Sequence, residues 1–451
     1  MNLTQKSNEL IALFSKNNQC LKKTIKKDTK LDDIFLQIYD DIHTAYYHTY
    51  IGCIDNKREA RKSHDPKITL TDINTIQDVP YPTKFPLSSF PDEIRNHINV
   101  TSKYRLDYNI KTTTYHGNAY RDVTFHFVVE DTDAFEPNKY ISYAQDMLAW
   151  LHIVDGYAQR DCAKNLDIFL YFTSLGKQMP QSNLHVLGEN HANTAFTTTC
   201  PSVSEIVIFR AEEWFKVFIH ETFHNFALDF SDMSNDDCHK KIKQMFNVKS
   251  DINLFEAYTE TWAEIMNICF CSYHSLGHNL HDPVIYVPGT PKYAKKQKEF
   301  VTTCKQYLNI EQGYSAFQMV KTIGFMGLTY DNLISNAPRD EILRNTLYKE
   351  QTNILAYYVI KCILMTNYKD FLFWCDRNNT SLIQFKKTRR NQASMCTFIK
   401  ERYNSKSFLR EISCYEEYTS QMIQKKNTTK KKKTKISYLL SNLRMTLFEL
   451  G

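Results

Sequence analysis

The stretch Glu205–Phe230, EIVIFRAEEWFKVFIHETFHNFALDF, fits only inside a protein. EIVIFR reads as a short strand and runs straight into a helix that is apolar almost all round, through Trp214, Phe215, Val217, Phe218, Ile219, Phe223, Phe226 and Leu228. Glu212 and Glu213 fall where the first turn of that helix is expected, and negative charge there suits the helix dipole. The same buried helix carries His220, Glu221 and His224. An unpaired buried polar group costs roughly 1–3 kcal/mol, so these three need partners. His at i and i+4 stand on one helix face and can reach a single metal ion, with Glu221 one step round as general base. A chance match to this spacing in a chain of this composition has odds on the order of a few per cent, and the burial of the helix weakens that reading further.

Two histidines do not complete a catalytic metal site, which needs a third protein ligand and an open position. One pattern requires Gly three residues after the second His and His six residues after it; Ala227 and Phe230 occupy those places. Asp229 is a second option. Five residues on in a continuous helix, it would point away from the His face, and polar pairing near the helix end is its ordinary role. The third source is a Glu from a following helix. In DINLFEAYTETWAEIMNI, Glu256, Glu260 and Glu264 are spaced by four and share a face, opposite Phe255, Thr259, Trp262, Ala263 and Met266. Such a row is usually a solvated face, and Asn253 with Glu256 also reads as a simple capping box. Favouring a ligand, the segment starts 27 residues after His224, beyond SDMSNDDCHKK, which is enough chain for an antiparallel return.

His220-Glu221-x-x-His224 followed by Glu256-Ala-Tyr-Thr-Glu260 resembles the gluzincin arrangement of thermolysin-like metallopeptidases. That family's second motif is Glu-x-x-x-Asp; here a longer carboxylate, Glu260, stands at the Asp position, and the spacing from His224 is longer than in thermolysin. HANTAF (191–196) is similar to the edge strand on which such enzymes hold an extended substrate, and EIVIFRAEEWFKVFIHETFHNFALDF also resembles metallopeptidase-like proteins of large nucleocytoplasmic DNA viruses. The likeness covers roughly 100–370. It implies an α+β, zincin-like fold, a mixed-sheet half ending in the motif helix and then a mainly helical half. It further implies a Zn2+ ion on His220, His224 and Glu256, Glu260 holding the free N–H of a ligand His, Glu221 as base, and a peptide or protein substrate. The donor for the tetrahedral oxyanion is expected from Tyr357 or Tyr358, with His274, His278 and His281 as further candidates. The alternative function is a non-catalytic zincin-fold scaffold or virion component, for which Glu221 has no use.

Along the chain, the pattern divides into an N-terminal helical segment (1–62), a proline-containing connector (63–99), a unit with the strands and both motif helices (100–280), a helical subdomain (281–424) and a Lys-rich tether with a terminal amphipathic helix (425–451). The connector, with prolines at 66, 80, 82, 86 and 91, is expected to lie irregularly over the surface of the next unit. The formal net charge is +6, but 425–451 alone holds seven Lys, Arg444 and Glu449, a sum of +7, which leaves the rest at −1. A nearly neutral body argues against a nucleic-acid partner. The tail helix, with Ile436, Leu439, Leu440, Leu443 and Leu447 on one face, needs the chain's own body, a membrane surface or another protein against it. Twelve cysteines without C-x-x-C spacing predict buried thiols in a reducing compartment rather than disulfides. With no apolar run near the roughly 20 residues that span a bilayer, the expected location is intracellular, with the Lys tract as a nuclear or virion address.

Overall fold

Alternation of apolar and polar residues makes 102–130 strand-forming, and these residues build the middle of the sheet. The computed structural model describes residues 2–16, 18–22, 28–54, 66–113, 120–130, 135–158, 161–277, 287–426 and 430–451. It is a mixed α+β structure. Six strands, β1 (Lys67–Asp72), β2 (Ser102–Thr113), β3 (Tyr120–Glu130), β4 (Asn165–Phe172), β5 (Ala195–Thr197) and β6 (Val203–Ile208), lie in the order β1-β2-β3-β4-β6-β5. The first three are antiparallel, β3, β4 and β6 run parallel, and β5 closes the far edge antiparallel to β6. The register sets Phe125 beside Ile168 and Ile168 beside Ile206, so alternate residues face opposite sides. Phe125, Phe127, Ile168, Leu170, Ile206 and Ile208 face the main core, while Val128, Phe169, Tyr171 and Val207 face a smaller one. Burial on both faces is the usual state of parallel strands.

The helix Pro137–Asp155 makes the crossover from β3 to β4 and packs on the main-core side. The connector covers the other face, with Ile73, Val79, Phe90, Ile94 and Ile98 closing the smaller core. It is not wholly irregular: β1 lies within it, paired to β2 along its length. All six residues of β1 are exposed, so it carries no burial pattern in the sequence. β6 leads to the motif helix, Trp214–Asn225, which packs on the glutamate helix, Leu254–Ser275. Helices Pro291–Phe325 and Lys406–Lys426 and a π-helical turn, Leu355–Ile360, build the helical half.

Three expectations change. The motif helix starts at Trp214, after Glu213 in a left-handed conformation (φ 61°), so Glu212 and Glu213 precede it. Both are buried in ion pairs, with Arg444 and Lys177 respectively, rather than lodged in a helical turn. Two pairs of cysteines form disulfides, Cys20–Cys414 and Cys162–Cys200, because the fold brings their Cα atoms to 5.9 and 4.5 Å across separations no local spacing reveals. Among the described residues, seven others are free and buried. Finally, 425–451 does not read as a tether: Lys425 and Lys426 end one helix and Lys430–Ser441 form the next. Ile436, Leu439, Leu443, Leu447, Phe448 and Leu450 belong to the same continuous core as Phe14, Phe125 and Phe223, so the partner of that apolar face is the body itself. Among the described residues, no helix is long and apolar enough to cross a membrane.

Candidate metal centre

The motif and glutamate helices bring His220, His224 and Glu256 together. His220 Nε2 and His224 Nε2 are 3.1 Å apart, and Glu256 Oε2 lies 3.3 Å from the first and 3.4 Å from the second. Tetrahedral zinc with ligands at ~2.0–2.1 Å separates its donor atoms by about 3.3 Å, which is the spacing of this triangle.

The outer ring nitrogens explain why three acceptors converge. His220 Nδ1–H donates to Glu260 Oε2 at 2.9 Å, and His224 Nδ1–H donates to Asp229 Oδ2. A carboxylate only accepts, so each Nδ1 carries a proton, and a ring in its neutral form turns the lone pair of Nε2 inward. Two lone pairs and a carboxylate oxygen then face one point, an arrangement that calls for a cation. The surrounding carboxylates call for positive charge at the same point: burial disfavours the imidazolium form of both rings, yet Glu256 with Glu260 raises the pKa of His220, and Asp229 with Glu256 raises that of His224 well above its ordinary value. Glu256 itself is held far below the usual carboxylate range despite its burial, chiefly by His224 and His220. The residues present therefore fit zinc.

Asp229 reaches this position because the helix does not continue to it. It ends in a Schellman turn: Leu228 N–H donates to Phe223 O and Ala227 N–H to His224 O, with Ala227 at φ 52° where Gly is the usual occupant. The chain reverses, and Asp229, fully buried, is steered back to His224 and fixed by Thr259 Oγ1 (3.0 Å), Ser231 N (3.0 Å) and Ser231 Oγ (2.8 Å). The expectation that it points away from the His face is thus corrected, because it assumed a continuous helix. Polar pairing at the helix end is what it does, as the orienting partner of His224.

The glutamate row is not a solvated face. Glu260 and Glu264 are 1% and 0% exposed. Glu260 Oε1 accepts from Lys216 Nζ at 2.6 Å, and Glu264 pairs with Lys361 at 2.6 Å, a turn farther from the metal triangle. Lys216 went unremarked in the sequence, although a lone lysine one turn before His220 in an otherwise apolar helix was a visible sign. Lys177, from the segment after β4, had no such sign. Glu221 lines a recess between the motif helix and the approach to β5, and burial pushes its carboxyl above the ordinary value.

Of the expected oxyanion donors, the structure brings one to the site. Tyr357 Oη donates to Glu256 Oε2 at 3.1 Å, and its ring lies 6.1 Å from that of His220. Burial keeps this phenol protonated. Its neighbour Tyr358 turns into the core and donates to Leu443 O at 2.7 Å. His274 sits eighteen residues beyond Glu256 on the same helix, about 27 Å along its axis, beside Tyr46 and Asp146. His278 and His281 lie outside the described residues. Comparison with family models, with curated proteins and with solved structures finds no match to this chain.

Proposed function

We propose that this protein is a zinc-dependent metallopeptidase of gluzincin type. The observation that carries the reading is the metal triangle with both outer ring nitrogens fixed by buried carboxylates, because it leaves three acceptors aimed at one point. His220, His224 and Glu256 would hold the ion. A zinc ion there supplies a Lewis acid that polarises a carbonyl and lowers the pKa of water. Glu221 accepts the proton of the attacking water and delivers it to the leaving amine. Its desolvated carboxyl suits the task, since a base with a raised pKa gives the proton back more evenly. Tyr357 is the donor for the oxygen on which charge develops. β5, the last strand of the sheet, gives an extended peptide an edge to pair with, next to Glu221.

A scaffold needs the ligands but has no use for a buried glutamate that binds no metal, and Glu221 is such a residue. Purified protein is expected to carry about one zinc per chain. His220→Ala, His224→Ala and Glu256→Ala each lose most of it, whereas Glu221→Gln keeps it and loses hydrolysis of a peptide library. Full zinc in Glu256→Ala with loss in Glu264→Ala would overturn the ligand assignment. Equal turnover by Glu221→Gln and wild type would favour the scaffold.

A further inference from the structure

The recess beside Glu221 has lining that the proposed reaction does not use. It lies between the approach to β5 (Asn193, Thr194) and the first half of the motif helix, with Lys177 and Lys216 at its inner wall. Its volume is about 40 Å³. One water needs roughly 10–15 Å³ on this measure, so the space takes about three heavy atoms, the number in a carboxylate group. Both lysine side chains are only 2% exposed.

The carboxylates beside these lysines are already committed. Glu213 Oε1 accepts the N–H groups of Met445 (2.8 Å) and Thr446 (2.6 Å), and its Oε2 faces Lys177 Nζ at 2.9 Å. Glu260 Oε1 takes Lys216 at 2.6 Å and its Oε2 takes His220 at 2.9 Å. Each ammonium carries three N–H donors, so among the described residues donors outnumber the acceptors that meet them; beside Glu260, Lys216 Nζ there meets the weakly accepting Met445 sulfur at 3.8 Å. Thr194 adds an independent sign. It is 4% exposed, and its Oγ1 has no hydrogen-bond partner among the described residues. A buried hydroxyl left open in this way has a cost that a bound group removes. The recess, which Glu221 and Glu260 also line, therefore presents spare donors from two buried ammonium groups and one hydroxyl, in a space sized for three heavy atoms. An ionised carboxylate, which only accepts, is the group that matches.

We propose that this recess selects an acidic side chain, aspartate ahead of glutamate, on the substrate residue next to the bond that is cut. The inference rests on the peptidase reading and names its substrate class.

The test uses the full zinc-loaded chain on C-terminally amidated peptides, so that a free α-carboxylate cannot stand in for the side chain. Cleavage of a randomised library is expected to enrich Asp next to the cut site. Matched Asp and Asn peptides are expected to bind the Glu221→Gln protein, by calorimetry, with about a 10-fold difference in favour of Asp, the scale of charge-assisted hydrogen bonds. Lys177→Met combined with Glu213→Gln removes the ammonium without stranding its partner charge, and should abolish that difference. Should this double variant fail to fold in a thermal scan, Thr194→Val is the substitute and should reduce the preference several-fold. Cleavage indifferent to Asp, Asn and Ala would overturn the inference and leave the peptidase reading standing, as would a preference that appears only with a free C-terminus or one that survives in the double variant. If wild type cuts no peptide, the peptidase reading falls, and equal binding of Asp and Asn peptides to Glu221→Gln then sinks the acidic recess separately.

Discussion

The two carboxylates that hold the ligand histidines do the same job in different surroundings, and single substitutions should separate their effects. Among the described residues Asp229 bonds to His224, Thr259 and Ser231, none of them a fixed cation. Asp229→Asn keeps an oxygen for the ring N–H but loses the charge and turns its NH2 towards the Ser231 donors, so zinc affinity should fall about 10–100-fold at a stability cost of about 1–3 kcal/mol. Glu260 also neutralises Lys216, and both are buried. Glu260→Gln should therefore weaken zinc and in addition strand an ammonium in the core, costing about 3–5 kcal/mol. Competition with a chelator measures the first quantity and urea unfolding of the metal-free chain measures the second. Equal stability of the two variants would show that the Lys216 pair has no role in holding the site together.

At the scale of elements, periodicity revealed what burial had written into the sequence. The His pair was legible because its i, i+4 spacing falls on an apolar helix, whereas Glu256 and Glu260 at the same spacing also read as a solvated face until the fold buries them, and β2, β3, β4 and β6 were legible from their apolar spacing. β1 was not, since KITLTD is exposed throughout and no face selects its residues. The end of the motif helix was hidden as well. Its reversal runs through Ala227 at φ 52°, without the glycine that usually announces such a turn, so Asp229 read as a helical residue facing elsewhere. The disulfides join positions set side by side only by the finished fold. The turn gives a prediction of its own. A left-handed conformation costs a non-glycine residue about 1–2 kcal/mol, more when the side chain is β-branched. Ala227 already bears that cost, so Ala227→Val adds only the β-branch and the overpacking of a position 1% exposed, about 1–3 kcal/mol, and should also reduce zinc affinity, because Asp229 is placed by this turn. Unfolding and metal titration on one preparation would check both; unaltered zinc binding would mean that Thr259 and Ser231 alone fix Asp229.

For the whole molecule, the telling feature is how deeply the last residues are built in. Composition hid this, because the lysine tract before them looks like a solvated linker while the apolar pattern after it leaves its partner open. Arg444 is fully buried, with Glu449 at 2.5 Å and Glu212 at 3.4 Å, and Leu447 N–H donates to Glu311 at 3.1 Å. Burial alone would raise the pKa of Glu212, but Arg444 and Lys6 overcome it and hold the carboxyl down to about 2, from 4.5. The folded state thus binds this proton less readily than the unfolded chain. Its stabilisation, about 3 kcal/mol, is complete above pH 4.5 and is lost as pH falls towards 2. In urea unfolding, Glu212→Gln should be less stable than wild type at pH 6, and the gap should narrow between pH 4.5 and 2; a gap that does not change with pH would remove Glu212 from the acid response. Truncation tests the larger claim. Ending the chain after Gln424 would take Leu439, Leu443, Leu447 and Phe448, all fully buried, out of the core. A single Leu→Ala change in such a place costs about 2–5 kcal/mol, and a whole domain is stable by only about 5–15. The same cut would take Arg444 from Glu212 and the Met445 and Thr446 N–H donors from Glu213. The truncated chain should therefore fail to fold and hold no zinc, whereas a separable tether would leave both intact. A soluble, zinc-loaded product with a cooperative thermal transition would show that the C-terminal segment only rests on a body able to fold without it.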